Sequence, residues 1–436
     1  MTDEPYNEVI AMGTSGFWKA GHLPTLVAAF LYFDVSFMVW VLLGPLAPFV
    51  SEDLHLTPGQ KGLMVALPLL GGSIFRPILG LLGEFIGGRK AGLLGLTVTL
   101  LPLLLGWRWA HALQDFYLLG ILLGVAGASF AVALPLAGCW YPPEYQGLVM
   151  GIAGAGNSGT LVATLFAPRL AQAFGWASTF AFAMAPVVLV LLAFAVLAKD
   201  SPQRAVRTSW QGYASLFRQP DTAWFCFFYS LTFGGFVGLA SFLTLFFHDQ
   251  YHLSKVQSGD FTTIVVVAGS FLRPVGGWLA DKIGGYKLLL VLLLIVSACL
   301  AGVSSMPSLP MVVCLLFVAM GMLGMGNGSV FQLVPQRFPD RIGIMTGLVG
   351  AAGGLGGFLL PSVLGAIKDR TGEYGVGILL FAIVFLAGSA TLLHLGSSWR
   401  ETWNAISADR AGIFCYRALA RGWVGRDSIL EDEGRP

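Results

Sequence analysis

Charge is scarce in this chain, and that scarcity excludes most protein classes at once. Asp, Glu, Lys and Arg make up 11% of its 436 residues, against 56% hydrophobic. A soluble domain carries about 25% charged residues, so most of this chain is not built to face water. Cysteine is also sparse. Cys139, Cys226, Cys299, Cys314 and Cys415 show no metal-ligand spacing, and four of them lie in or beside apolar runs, where cysteine packs as a small hydrophobe. The six histidines (His22, His55, His111, His248, His252 and His394) sit near the ends of those runs. His248 and His252 flank Asp249 and read as a solvated face. There is no nucleophile–base set and no phosphate-binding loop followed by Lys-Ser or Lys-Thr. An enzyme is therefore not expected, nor a cofactor, a metal or a nucleic-acid partner. The acidic, polar start from Met1 to Glu8 lacks the basic segment and short apolar core of a cleavable signal peptide.

What the chain has in abundance is long apolar sequence. A membrane-crossing helix needs about 20 mostly apolar residues. Twelve stretches qualify, near 24–50, 60–83, 91–110, 115–139, 147–171, 176–198, 222–247, 259–280, 287–305, 309–334, 343–367 and 375–396. The expected fold is an all-α membrane protein of twelve transmembrane helices. With both ends of the chain inside, the inner segments hold 17 Lys and Arg and the outer segments 6. That bias orients the chain, with cytoplasmic termini, as a multi-pass protein of the cell inner membrane.

The chain is also duplicated. Gly72-Ser73-Ile74-Phe75-Arg76-Pro77, running to Gly87-Gly88-Arg89-Lys90, aligns without a gap with Gly269-Ser270-Phe271-Leu272-Arg273-Pro274, running to Gly284-Gly285-Tyr286-Lys287. The offset is 197 residues (273 − 76). A second repeat joins Pro143-Glu144 and Gly151-Ile152-Ala153-Gly154-Ala155 to Pro339-Asp340 and Gly347-Leu348-Val349-Gly350-Ala351, at an offset of 196 (347 − 151). Parallel repeats of six spans are related by an axis along the membrane normal. The expected division is a cytoplasmic segment over 1–23, a six-helix bundle over 24–198, a cytoplasmic linker over 199–221, a second bundle over 222–396 and a cytoplasmic tail over 397–436. Two pseudosymmetric bundles in one chain require no oligomer to form a central site. The tail, with its Trp and Arg residues, reads either as lying along the inner membrane surface or as a solvated segment.

Arg76 and Arg273 occupy the same place in each copy, inside apolar helix. A guanidinium there costs about 2.5–3.5 kcal/mol on insertion scales. The only carboxylate deep in a span is Asp34, and one acid cannot neutralise two arginines. The unbalanced charge should draw in an anion between the halves. Guanidinium is planar, always charged, and presents its donors in a fixed fork, so two of them can clamp a flat oxyanion. Each arginine precedes a proline, which frees the carbonyls of Ser73 and Ser270 and offers them as anchors for the arginine side chains. Asp34 either takes a coupling proton or pairs with an arginine. Tyr229 and Phe233, four residues apart, share a helix face. Phe130 reads equally as core packing or as a wall of the site. Glycine costs about 1 kcal/mol in a helix relative to alanine, and spans 5 and 11 accept that cost repeatedly: Gly154, Gly156 and Gly159 in one, Gly350, Gly353, Gly354, Gly356 and Gly357 in the other. Small residues let helices approach closely, and two such helices would narrow a central cavity to fit a small substrate.

Twelve spans in two halves, with Gly80-Leu81-Leu82-Gly83-Glu84-Phe85-Ile86-Gly87-Gly88-Arg89-Lys90 after span 2, resemble the major facilitator superfamily. That motif usually has Asp where this chain has Glu84. Gly154-Ala155-Gly156-Asn157-Ser158-Gly159, the glycines of span 11, and one arginine each in spans 2 and 8 together resemble the nitrate/nitrite porter family. The resemblance implies the major facilitator fold and transport of nitrate and nitrite through a lipid bilayer. It implies either proton symport or nitrate/nitrite exchange. It also implies a substrate site of Arg76, Arg273, Tyr229, Asn157, Phe233 and Phe130, with Tyr229 bonding the anion and Phe233 walling it. Glu84, Arg89, Lys90, Asp281, Lys282 and Lys287 correspond to inner-gate loops that latch the halves, or else form solvated loops. Two alternatives stay open: a carrier of another small anion, and a transporter-like anion sensor.

Overall fold

In the computed structural model, which describes residues 17, 19–142, 145–201, 216, 218–338 and 341–413, the duplication reappears as matched helix ends. Span 2 (Pro58–Ile86) and span 8 (Lys255–Ile283) both run 29 residues. Each begins on a capping box: Thr57 with Gln60, and Ser254 with Gln257. In each, the cap hydroxyl and the glutamine side chain satisfy one another's backbone N–H, which quiets orphan donors at the helix start. Each ends on a glycine with a left-handed backbone, Gly87 at φ 93° and Gly284 at φ 89°, a conformation that glycine adopts without steric cost. His55 and His252 lie 197 positions apart and both have positive φ, 50° and 53°.

Twelve helices among the described residues are long and apolar enough to cross a membrane. The remaining ten are Leu23–Asp53, Gly88–Arg108, Leu113–Gly138, Val149–Phe174, Trp176–Leu197, Pro220–Tyr251, Gly285–Ser304, Leu309–Arg337, Met345–Thr371 and Gly375–Thr402. Several are interrupted. Span 1 breaks after Trp40, span 4 breaks between Gly127 and Phe130, span 5 tightens to a 3₁₀ turn over Ala155–Ser158, and span 7 widens to a π turn over Ser230–Gly234. Such interruptions mark functional sites more often than plain helix does. The two bundles meet through span 2 against span 11, span 8 against span 5, and span 1 against span 7. The first two pairings are equivalent under the repeat, as a two-fold pseudosymmetry requires.

Close approach explains the glycines. A Cβ on Gly159 would overlap the Asp34 carbonyl, and one on Gly356 would overlap the Ser230 carbonyl. A Cβ on Gly156 would sit 2.8 Å from the Asp34 nitrogen, and one on Gly357 2.7 Å from Val237. Spans 5 and 11 thus lie backbone to backbone on spans 1 and 7.

The two ends of the molecule differ. At the end away from the termini, polar contacts cross between the halves. Lys61 pairs with Asp249 at 3.0 Å, Arg169 with Asp260 at 2.7 Å, and Lys255 with Glu52. The Gly59 amide donates to Asp369 at 2.8 Å. Asp249 also accepts from the Tyr374 hydroxyl at 3.3 Å. The expectation of a solvated face at Asp249 is corrected: its carboxylate is tied to the other half. At the terminus-bearing end, Arg89 bonds Asp200 and the Ala195 carbonyl within the first half. There Arg337 bonds Asp221 within the second.

Two further expectations need correction. Asp221, assigned to the linker, lies in the first turn of span 7, where it accepts from Arg337 and from the Trp399 indole at 2.8 Å. Residues 204 and 207, which carry the linker's arginines, fall outside the described residues. The start of the tail is docked on the protein along one face and exposed along the other. Span 12 continues to Thr402, and a short helix, Ala405–Arg410, follows. Trp399, Trp403, Ala408, Ala411 and Ile413 are buried. The Ala411 carbonyl accepts from the Tyr286 amide at 2.9 Å, and the Arg410 carbonyl from the Gln332 side chain at 3.1 Å. Tryptophan composition fits a membrane surface, but the Trp399 and Trp403 indoles pack against Phe225 of span 7, and Trp399 against Tyr286 of span 9. Residues 414–436 lie outside the described residues, as do the paired motifs Pro143-Glu144 and Pro339-Asp340.

Asp249 joins both halves at this end, through Lys61 of one and Tyr374 of the other. Asp249→Asn removes the charge that Lys61 faces. Spin labels on the far ends of the two halves should then report a longer or broader distance distribution than in the unsubstituted protein. An unchanged distribution would show that this pair does not hold the end shut.

Candidate functional site

Arg76 is 1% exposed, in the middle of span 2. Three aromatic rings surround its guanidinium carbon: Trp40 of span 1 at 4.9 Å, Phe233 of span 7 at 5.0 Å and Phe130 of span 4 at 5.5 Å from the ring centroids. Ring faces are negative, and a desolvated cation–π contact can reach about 2 kcal/mol, so the cage offsets part of the burial cost. Arg76 Nε donates to the Gly127 carbonyl at 3.0 Å, and Nη1 to the Gly350 carbonyl. The first acceptor sits at the break in span 4. The second belongs to the other half. These carbonyls, not that of Ser73, hold the arginine. Proline frees the Ser73 carbonyl, but the open turn of span 4 and the glycine backbone of span 11 supply the acceptors instead. Span 2 and span 8 run on as helix through Pro77 and Pro274.

Arg273 comes from the matching place in span 8. Its guanidinium lies 5.8 Å from the same Phe130 ring. Both arginines therefore stand on one aromatic side chain. Phe130 is 1% exposed and touches Phe33 and Phe331 as well. A Cβ on Gly154 would sit 3.8 Å from the Arg273 guanidinium carbon, and one on Gly350 3.6 Å from Phe130.

Tyr229 and Phe233 are both 0% exposed and stack at 5.1 Å with an interplanar angle of 3°. A Cβ on Gly353 would come within 2.6 Å of Tyr229 and 2.9 Å of Phe233. One on Gly354 would overlap the Ser73 hydroxyl. Tyr229 interacts electrostatically with both arginines, and no well-formed hydrogen bond ends on its hydroxyl. Asn157 is fully buried in the 3₁₀ turn of span 5. The orientation that satisfies it directs its amide nitrogen at the Gly154 and Ala155 carbonyls, each at 3.2 Å.

The charge balance at the centre is one-sided. Among the described residues, no carboxylate pairs with Arg76 or Arg273. Arg76 Nη2 and Arg273 Nη1 are buried with no hydrogen-bond partner. Asp34 is not the arginines' counter-ion. It accepts from the Ser158 hydroxyl at 2.6 Å, at the end of the 3₁₀ turn of span 5. A fully buried and a half-buried guanidinium, each with a free donor, stand beside a tyrosine hydroxyl and flat aromatic walls, an arrangement with the donors to hold a small planar anion.

Of the loop residues, Arg89 is engaged within its own half, and Lys282 lies 4.0 Å over the Trp278 ring. Lys90 and Asp281 are exposed, while Glu84 and Lys287 are partly buried. The sequence reading missed Trp40 and Phe331, which complete the aromatic cage, and the far-end ion pairs. Trp40 sits six residues beyond Asp34 in a run that reads as ordinary apolar helix, and only the long-range fold sets it over Arg76.

A duplicated twelve-span helical protein with a buried cationic centre at the join of its halves has the build of a membrane carrier. The chain matches the Major Facilitator Superfamily over residues 28–361. It is 34% identical over 380 residues to a nitrite extrusion protein of Bacillus subtilis (strain 168), a match covering 84% of this chain and 92% of that protein. It is 34% identical over 385 residues to a probable nitrate/nitrite transporter, NarK2, of Mycobacterium tuberculosis, covering 86% and 97%. Against a probable nitrate transporter, NarT, of Staphylococcus epidermidis, identity is 32% over 367 residues, covering 83% and 93%. The chain belongs to the major facilitator superfamily, in its nitrate/nitrite porter family, and is a transporter rather than an enzyme.

The packing of span 5 gives a clean comparison. Gly159→Ala drives a methyl into the Asp34 backbone, and overpacking of this kind costs about 1–3 kcal/mol. Gly151→Ala meets nothing within 4 Å. The first should lower the melting temperature of the purified protein and the second should not. Equal melting temperatures would contradict the packing described here.

Proposed function

We propose that this chain carries nitrate and nitrite across the cytoplasmic membrane by alternating access, with the anion held between Arg76 and Arg273. The observation that carries the reading is the pair of guanidiniums on one Phe130 ring, with buried donors left over and no acid paired to either. A flat oxyanion in that place would take charge-assisted bonds from Arg76 Nη2 and Arg273 Nη1. Tyr229 would add its hydroxyl, and Phe130 and Phe233 would wall the ring-like plane of the anion. Asn157 acts by fixing the 3₁₀ turn that places Gly154 beside Arg273. The two six-helix bundles rock about this centre, joined by the linker between spans 6 and 7.

The inner loops, with Glu84, Arg89, Lys90, Asp281, Lys282 and Lys287, serve as the latch of the opposite state, when the far end opens. The 17-to-6 bias of basic residues puts the terminus-bearing end in the cytoplasm. The present arrangement is then the one sealed toward the outside.

Bringing in an anion against a negative interior costs about 2.3 kcal/mol per 100 mV, so uptake needs a coupled ion. Exchange of nitrate for nitrite leaves the charge unchanged. Symport needs a protonatable group, and Asp34 is that group, bonded to Ser158 beside the glycine helix.

Flux into proteoliposomes tests these readings together. Nitrate uptake should saturate, and nitrite should compete with it. Arg76→Lys and Arg273→Lys keep the charge and lose the fork, so each should cut uptake at least about tenfold, the worth of one lost hydrogen bond to a charged group. Lysine variants that carry nitrate at the unsubstituted rate would sink the clamp. Uptake driven by a pH gradient without internal nitrite, and lost in Asp34→Asn, identifies symport. An absolute need for internal nitrite identifies exchange.

A further inference from the structure

Asn327, in span 10, is the one side chain among the described residues with two buried polar atoms and no partner for either. Its amide oxygen and nitrogen are both unpaired, and the residue is 0% exposed. Buried polar groups are nearly always hydrogen-bonded, and an unsatisfied one calls for an explanation such as a ligand or an ion. An amide that lacked a partner in every state of the protein would be a standing penalty.

Its place in the fold supplies the explanation. Phe331 lies one helical turn further along span 10, on the same face. That face meets the arginine centre: Phe331 sits edge-on to Tyr229 at 5.0 Å and 6.1 Å from Phe130. The two neighbours of Asn327 are glycines. A Cβ on Gly328 would sit 2.8 Å from the Arg273 carbonyl, so span 10 crosses span 8 at the level of that arginine. A Cβ on Gly326 would sit 2.7 Å from the Thr232 side chain. Thr232 lies in the π turn of span 7, is 1% exposed, and has an unpartnered hydroxyl of its own. Two unsatisfied polar side chains therefore belong to the segments that pack around Tyr229 and Arg273.

The repeat shows what they replace. Asn157 gives the first half a buried amide in span 5. The matching position in span 11 is Gly353 (157 + 196), which has no side chain. The second half thus lacks an amide on its glycine helix and carries one on span 10 instead.

We propose that Asn327 is a further oxyanion-binding residue, the second half's polar contact to the transported anion, with Thr232 beside it. The proposal rests on the carrier reading above. The Asn327 amide N–H₂ donates to the anion in a state where the halves have shifted about the arginines, and the Thr232 hydroxyl gives a second donor. It is specific for an acceptor-rich ligand of this kind, since apolar cargo would leave the amide as unsatisfied as before.

The experiment measures nitrate Kd on the purified full chain and nitrate KM in proteoliposomes, with melting temperature as the fold control. Asn327→Ala should raise Kd and KM about tenfold, the scale of one donor to a charged acceptor, with Thr232→Val giving a smaller rise. Asn327→Asp keeps the shape, puts a negative charge against the anion, and should abolish nitrate binding. If Asn327→Ala does not fold, Asn327→Asp carries the test alone. Nitrate affinity equal to the unsubstituted protein's in any folded variant of Asn327 overturns the proposal, and so does a fall in melting temperature with Kd unchanged. If the unsubstituted protein itself binds no nitrate, the carrier reading falls first, and this assignment falls with it. If the unsubstituted protein binds nitrate in an arginine-dependent way while the Asn327 variants match it, only this assignment falls.

Discussion

The structure depends on uncompensated positive charge. Two guanidiniums stand at the join of the halves, and Asp34, the acid read from the sequence as lying deep in a span, is bonded to Ser158 instead. A single carboxylate moved beside either arginine would quench the centre and make it a structural ion pair. Everything around it preserves the imbalance: aromatic faces where carboxylates would be expected, and backbone carbonyls, which are dipoles rather than charges, as the only strong acceptors. The glycines serve the same end. By letting span 11 lie on spans 2 and 7, they bring the Gly350 carbonyl to Arg76 and the ring stack of Tyr229 and Phe233 under it.

The pseudosymmetry is strict at the helix ends and broken at the centre. Caps, lengths and left-handed glycines recur 197 positions apart. Yet Arg76 is caged by three rings and bonded to two carbonyls, while Arg273 stands by one of those rings and leaves its Nη1 without a partner. The duplicated scaffold thus holds its two arginines in unequal surroundings.

Much of this was legible in the sequence, and what was not had definite causes. The arginine pair could be read because a charge in apolar helix is rare and this one occurs twice in register. The twelve spans and the two-fold plan followed from composition and repeat. Tyr229, Phe233 and Phe130 came from family resemblance, and helical spacing added only that Tyr229 and Phe233 share a face. The Trp40 side of the cage could not be read, because an aromatic residue in an apolar span looks the same whether it faces a cation or a methyl group. The far-end pairs were invisible for a different reason: Lys61 and Asp249 are 188 positions apart and meet only through the join of the bundles. The proline expectation failed because it looked for acceptors within one helix, when neighbouring helices offered better ones. The docking of Trp399 and Trp403 was not read because indoles that suit a lipid surface suit an intraprotein groove equally well.

The left-handed glycines have one more consequence. A side chain on Gly87 would strike the carboxylate of Asp200, just past span 6, and one on Gly284 would strike the backbone of Gly412, just past span 12. In each bundle the strand of chain leaving the sixth helix folds back and buttons onto the bend between the second and third. The bundle is thereby fastened into a closed loop with its own exit segment as the clasp. Such a clasp stiffens each six-helix block against splaying at that end.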